Sequence, residues 1–433
     1  MKNLHKTLLL FTLVLAVGLG FGLRGARQGA GDEPADAEQS ALEWALQSKQ
    51  EEQNPGPEDE PEPEPEPAAQ PATATLLVCG DAMAHSPQLN DAYDSATGEY
   101  DFTHMFRSVR DTISAADYSV VNLETTLAGP EYTGYPTFSS PDSFAEALRD
   151  AGFDLMLTAN NHCCDRWFDG LSRTLDVLDG LGVAHVGTYR TAEERAKDNG
   201  VYLADVGGIS VAFVGYTYGT NGIPLAEGKE FSVSLFNTDY MTDVSTPDTA
   251  QIEADLAAAR ALDPDLICVL IHWGLEYHTT QSEYQERVAD LLIENGADII
   301  FGGHSHVPQP MEWRTVTCDD GTERTAFVLY SLGNFISSQK DRYTDTTAAV
   351  QLTLTRDETG ETAVTDVAYE PFYRLRRDKS ADEVFALLDV HKEIAAYESG
   401  AGVVTQPQAE ALYRCIDDCR EIFGAQWKNQ IAS

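Results

Sequence analysis

TLLVCGD at residues 75–81 is followed by FTHMFRSVRDTISAAD (102–117), YSVVNLE (118–124), DSFAEALRDAGF (142–153), DLMLTANNH (154–162) and GLSRTLDVLDGLG (170–182). Short apolar runs alternate with stretches whose apolar residues recur every three or four positions, so the segment reads β-α-β-α-β-α. The series continues through VYLADVGGISVAFVGYTYG (201–219), TAQIEADLAAARALD (249–263), DLICVLIHWG (265–274), YQERVADLLIENG (284–296), ADIIFGGHSH (297–306), AFVLYSLGNFI (326–336) and TAAVQLTLT (347–355). Such alternation predicts an α/β fold with a buried central sheet. The polar, turn-rich stretch from Thr220 to Pro247 reads as a surface insertion. Beyond Lys379, SADEVFALLDVHKEIAAY (380–397) and QAEALYRCIDDCREIFG (408–424) predict a C-terminal helical appendage over 379–433.

Outward from this core, residues 1–23 combine Lys2 and Lys6 with the apolar run Leu8–Leu23, a membrane-targeting segment. No A-x-A triplet follows it, which favours an uncleaved anchor over a secretory signal peptide. Either reading places the remainder of the chain outside the cell. Residues 24–74 hold thirteen acidic and three basic residues and end in a Pro-Glu repeat. That composition cannot bury a core and predicts an extended acidic linker ahead of a globular domain at 75–378. A net charge of −41 excludes nucleic acid as a partner unless a basic patch reverses the sign locally, and only Arg374, Arg376, Arg377 and Lys379 form one. Hydrophobic residues at 42% exclude a wholly disordered acidic chain. The seven cysteines fit no disulfide framework, because Cys79 and Cys268 lie inside apolar runs and Cys163 and Cys164 are adjacent.

The polar residues that follow the strands carry the chemistry. Asp81, Glu124, Asn160-Asn161-His162, His272, and His304 with His306 each stand at the end of an apolar run. In α/β sheets the carboxyl ends of strands form the ligand crevice, so residues remote in sequence converge there. Any one of them alone is more often a cap or a packing residue; the recurrence at five strand ends is what points to a metal site. Mixed carboxylate, amide and imidazole donors suit Mn, Fe or Zn.

In order, GDAMAH, VNLETTL, TANNHCCD, HWGLEY, GGHSHVPQP and YSLGNF resemble the motifs of the poly-gamma-glutamate capsule synthesis protein CapA family, a branch of the metallophosphoesterase-like superfamily. The resemblance covers about residues 75–375. It implies a metallophosphatase-like layered β-sheet core flanked by helices, and two divalent ions. Asp81 and His306 would hold one ion, Asn161, His272 and His304 the other, and Glu124 would bridge them. It also implies that His162 serves as proton donor with Asp165 orienting it. Asn160, Trp273, Glu276 and Asn334 are expected to line the substrate cleft. The sequence departs from the wider pattern at Met83, where a histidine ligand is usual, and His85 is the nearest substitute. Trp167 stands where the family commonly has Gly.

The function this implies is a membrane-anchored, metal-dependent hydrolase or transferase taking part in synthesis or export of an anionic polymer such as poly-gamma-glutamate, alongside capsule synthase subunits. A non-catalytic polymer-binding subunit and a plain phosphodiesterase are the alternatives.

Overall fold

The structure, a computed structural model, describes residues 70–431. The expected anchor at 1–23 and nearly all of the acidic linker therefore lie outside the described residues. In chain order the strands are β1 (Ala72–Ala82), β2 (Tyr93–Asp94), β3 (Glu99–Tyr100), β4 (Tyr118–Leu123), β5 (Leu155–Leu157), β6 (Ala184–Val186), β7 (Tyr202–Val206), β8 (Ile209–Thr217), β9 (Leu266–His272) and β10 (Ile299–Gly303). They continue with β11 (Met311–Thr317), β12 (Glu323–Leu329), β13 (Asn334–Ile336), β14 (Thr346–Arg356), β15 (Thr362–Arg376) and β16 (Phe385–Asp389).

Two mixed sheets are stacked. The first runs β16-β15-β14-β1-β4-β5-β6, with β13 also paired to β1; the second runs β11-β12-β10-β9-β8-β7. Strands β1, β4, β5 and β6 are mutually parallel, as are β8, β9, β10 and β12. Strand periodicity explains the layering. Leu76 and Val78 of β1, Val120 of β4, and Leu155 and Leu157 of β5 meet Phe213, Cys268, Leu270, Ile299 and Phe301 of the second sheet. The alternate residues Leu77, Cys79, Val121, Leu123 and Met156 point outward onto Phe102, Phe106, Phe144, Leu148 and Leu178 of the flanking helices. On the opposite side Val214, Val269, Ile271 and Ile300 pack against Ile252, Leu256, Val288 and Leu292 of the helices Thr249–Ala261 and Glu283–Glu294. Both faces of the inner strands are thus buried, which is why they read as continuous apolar runs.

Two expectations are corrected. Ala72–Ala74, assigned to the linker, already belong to β1, where they pair with Arg356–Leu354 of β14. The stretch 380–397 is not helical throughout: Phe385–Asp389 form β16 against β15, and the helix begins only at Val390. Asp389 ends the strand by accepting a hydrogen bond from Lys392 N at 3.1 Å as the helix N-cap. The C-terminal appendage packs onto the body of the domain, with Leu412, Cys415, Cys419 and Phe423 of the helix Gln406–Phe423 joining the central core. The insertion 220–247, for its part, buries Phe236 and Asn237. All seven cysteines are free, six of them buried.

A candidate metal centre at the strand ends

Asp81 lies at the end of β1, Glu124 directly after β4, Asn161 and His162 after β5, His272 at the end of β9, and His304 and His306 after β10. Parallel pairing brings these ends to one edge of both sheets. Close approach is possible because Gly303 has no side chain: a Cβ there would stand 2.6 Å from Asp81 Oδ1. His304 and His306 then adopt φ of +93° and +60°, a left-handed conformation that non-glycine residues rarely take and that concentrates at functional sites.

One group of donors is Asp81, Glu124 and His306, all buried, with ligand atoms within 4.8 Å of one another. Beside it His272 Nε2 lies 3.0 Å from Asn161 Oδ1 and 3.5 Å from Glu124 Oε1. His304 closes the cluster, its ring centroid 4.8 Å from that of His272 and 6.0 Å from that of His306. Tyr218 packs on His304 at 4.6 Å and stacks on His272 at 6.3 Å.

The polar bookkeeping of this cluster is incomplete without a cation. Both carboxylate oxygens of Glu124 and Nδ1 of His304 are buried with no hydrogen-bond partner. Such groups normally find one, so orphaned acceptors facing a histidine cluster fit a metal ion. The electrostatics agree. Burial, then the Glu124 charge, push the Asp81 carboxyl up to about 7, and burial pushes Glu124 up to about 8. Burial drives His272 down to about 4, His306 down to about 3, and His304 well below the ordinary imidazole value. The imidazoles are therefore neutral, the form that ligates. His306 Nδ1 is held by Asn334 Oδ1 at 3.0 Å, which leaves Nε2 free as ligand atom.

His162 stands next to the cluster. Its Nδ1 lies 2.7 Å from Asp165 Oδ2, and the same oxygen accepts from Phe138 N at 2.6 Å. Burial works against a charged ring here, but the Asp165 hydrogen bond and the charges of Glu124, Asp165 and Glu276 prevail and raise His162 above its ordinary value. Glu276 sits exposed on the loop after β9, its charge felt by Glu124, His162 and His272.

Three residues expected in the substrate cleft are placed elsewhere. Asn160 is fully buried, its amide nitrogen bonded to Leu123 O at 2.8 Å and its oxygen accepting from His162 N at 3.1 Å, so it ties the loop after β5 to β4. Trp273 is a core residue that donates to Tyr330 O at 2.8 Å. Asn334 spends its oxygen on His306 and its nitrogen on Gln339 Oε1 at 2.7 Å. Met83 is buried, and His85 packs edge-on to Phe138 at 5.0 Å and stays outside the Asp81-Glu124-His306 group. Two contributors escaped the sequence reading. Asn122 Nδ2 lies 2.8 Å from Asp81 Oδ1 and 3.2 Å from His272 Nδ1, and Asn221, from the insertion, contacts Asn161 and His162. Asn122 precedes Leu123 within YSVVNL, where an amide flanked by apolar residues is the available signal.

Carboxylate, amide and imidazole donors converging on the C-terminal edge of stacked sheets define an α/β protein built around a candidate metal centre. The comparison with known families agrees with this class and narrows it. The chain belongs to the bacterial capsule synthesis protein PGA_cap family, whose model matches residues 75–339. It is 28% identical over 305 residues to the capsule biosynthesis protein CapA of Bacillus anthracis, covering 68% of this chain and 66% of that protein. It is 27% identical over 273 residues to the PGA biosynthesis protein CapA of Bacillus subtilis (strain 168), covering 61% and 64%. The chain thus spans just under two thirds of the length of these relatives. Among solved structures, NAD nucleotidase of Haemophilus influenzae aligns with a TM-score of 0.42 at 12% identity, over 80% of this chain and 63% of that one, too distant to carry an argument about activity.

Proposed function

We propose that this protein acts at the cell surface, held to the membrane by residues 1–23, in the synthesis or export of an anionic polymer of the poly-gamma-glutamate kind. Its chemistry is that of a metal-dependent hydrolase or transferase working on the polymer or its ends, with capsule synthase subunits as partners. The names of the Bacillus relatives support the polymer. The observation that carries the chemistry is Glu124, whose two buried oxygens have no hydrogen-bond partner while Asp81 and His306 offer ligand atoms within 4.8 Å and His272 Nε2 stands 3.5 Å from its Oε1.

Asp81 and His306 would hold one divalent ion, Asn161, His272 and His304 a second, and Glu124 would face both. Mn, Fe or Zn suit such a donor set. Ions bound there supply Lewis acidity and lower the pKa of water. The remaining work falls to the chain itself. Asp165 fixes the His162 ring and favours its charged form, so His162 can give a proton to a leaving oxygen or nitrogen and take it back on the return step. Asn334 and Asn122 hold their partners in orientation. Glu276, exposed on the loop after β9, would meet an anionic substrate as a like charge.

The test is hydrolysis of poly-gamma-glutamate and of model phosphodiesters by the purified chain with Mn or Zn, beside His162→Ala. Turnover lost in His162→Ala with metal content unchanged is expected. Polymer binding and export that persist in that variant, with no turnover in wild type, would assign the protein a binding role.

A further inference from the structure

Asn221 is the second residue of the insertion 220–247 and stands exposed at φ +51°. Its side chain turns inward: Oδ1 accepts from Asn161 Nδ2 at 3.2 Å, and Nδ2 lies 3.4 and 3.5 Å from the two ring nitrogens of His162. We propose that Asn221 is a positioning residue for the metal centre, locking the Asn161 amide so that its oxygen and not its nitrogen faces the ion, and that the insertion serves to bring it there.

This rests on the reading of Asn161 as a ligand. Only the oxygen of a carboxamide is a useful donor to a divalent ion, and a half-turn about Cβ–Cγ would present the NH2 group instead. Asn161 Oδ1 faces His272 Nε2 at 3.0 Å, and that orientation is fixed from behind by what accepts from Nδ2. Asn221 Oδ1 is such an acceptor. Because His162 Nδ1 is already taken by Asp165 at 2.7 Å, the Asn221 amide lies against the imidazole without competing for its hydrogen bond. An N–H donor beside the proton-carrying ring also suits an anionic oxygen of the substrate, a carboxylate or a phosphoryl group.

The insertion is fastened to the same loop. Its Ile223, Leu225, Val233 and Leu235 cluster with Cys163, Cys164, Leu171 and Leu175, the residues that directly follow His162 and begin the next helix. Ile223 N donates to Thr220 O at 2.9 Å, closing a tight turn around Asn221. Asn tolerates the left-handed backbone better than most residues, and Gly tolerates it fully, so Asn221→Gly removes the side chain without straining the turn.

The experiment titrates metal-depleted full-length protein with Mn2+ and with Zn2+ by calorimetry, comparing wild type, Asn221→Gly, Asn221→Asp and Asn161→Ala, with thermal melts as a check on folding. Asn221→Gly should melt as wild type does and weaken one of the two ions, the one Asn161→Ala also weakens, by roughly 10–100-fold, the range typical of removing a residue that orients a ligand. Asn221→Asp keeps the acceptor and should bind that ion at least as tightly as wild type. Wild-type affinity in Asn221→Gly, beside a loss in Asn161→Ala, would overturn the positioning role while leaving the metal reading intact. A weak Asn221→Asp would overturn the acceptor argument, and a wild-type protein that takes up no ion would overturn both the role and the reading beneath it.

Discussion

Glu124→Gln should make the metal-free protein more stable, and increasingly so as pH rises. The Glu124 carboxyl, ordinarily near 4.5, is pushed up to about 8, with burial the first cause. A buried acid raised in this way binds its proton more tightly when folded. The fold therefore loses stability as pH climbs from the unfolded value near 4.5 and stops losing it once pH passes about 8. At 1.36 kcal/mol per decade, the loss reaches about 4 to 5 kcal/mol by pH 8.5. Asp81, pushed up to about 7 by burial and then by the Glu124 charge, adds to the same trend in wild type, and the variant, which lacks that charge, is relieved of part of this contribution too. Glutamine cannot ionise, and its buried amide replaces a carboxyl that already lacked partners, so the variant escapes most of this cost. With unfolding entropy near 2.1 cal/mol/K per residue over about 360 described residues, the gain corresponds to a rise of roughly 5 °C in Tm at pH 8.5 and close to none at pH 5. Scanning calorimetry of chelator-treated wild type and variant across pH 5–8.5 reads this directly. Adding Mn2+ should reverse the order, because binding stabilises only the protein that binds. A variant less stable than wild type at every pH without metal, or a difference that does not grow with pH, would refute the picture of an uncompensated carboxylate at the centre of the site.

Further expectations concern the neighbours of the site. Asp165→Asn removes the acceptor 2.7 Å from His162 Nδ1, and turnover should fall by about 10²–10⁴ with metal content unchanged, as rate assays and elemental analysis would show. Asn334→Ala frees the His306 ring and should weaken metal affinity roughly 10–100-fold by titration. Trp273→Phe loses the hydrogen bond to Tyr330 O and some core packing. It should lower unfolding stability by about 1–3 kcal/mol in denaturant titrations, yet leave the KM of wild-type substrate unchanged.

How much of this was legible in the sequence follows from what burial does to a pattern. Strands covered on both faces spell unbroken apolar runs, so TLLVCGD, YSVVNLE and DLICVLIHWG announced the α/β layers and the polar residues that end them. A strand end, however, does not say which way a side chain points. Asn334 opens β13 and Trp273 directly follows His272 at the end of β9, yet one turns to hold His306 and the other turns into the core. FALLD at 385–389 was misread because its apolar residues satisfy a helical period as well as a buried strand, and only pairing with β15 decides between them. Asn221 was hidden for another reason: it lies in a turn-rich stretch with no period, and its role depends on a contact 60 residues away in the chain.

The central claim is that these strand ends form a metal centre, and metal content tests it most directly. Elemental analysis of purified residues 70–433 beside Asp81→Ala and His304→Ala should give about two divalent ions per chain in wild type, in line with a two-metal clamp, and fewer in each variant. No bound ion in wild type after loading with Mn2+ or Zn2+, with both variants indistinguishable from it, would contradict the account.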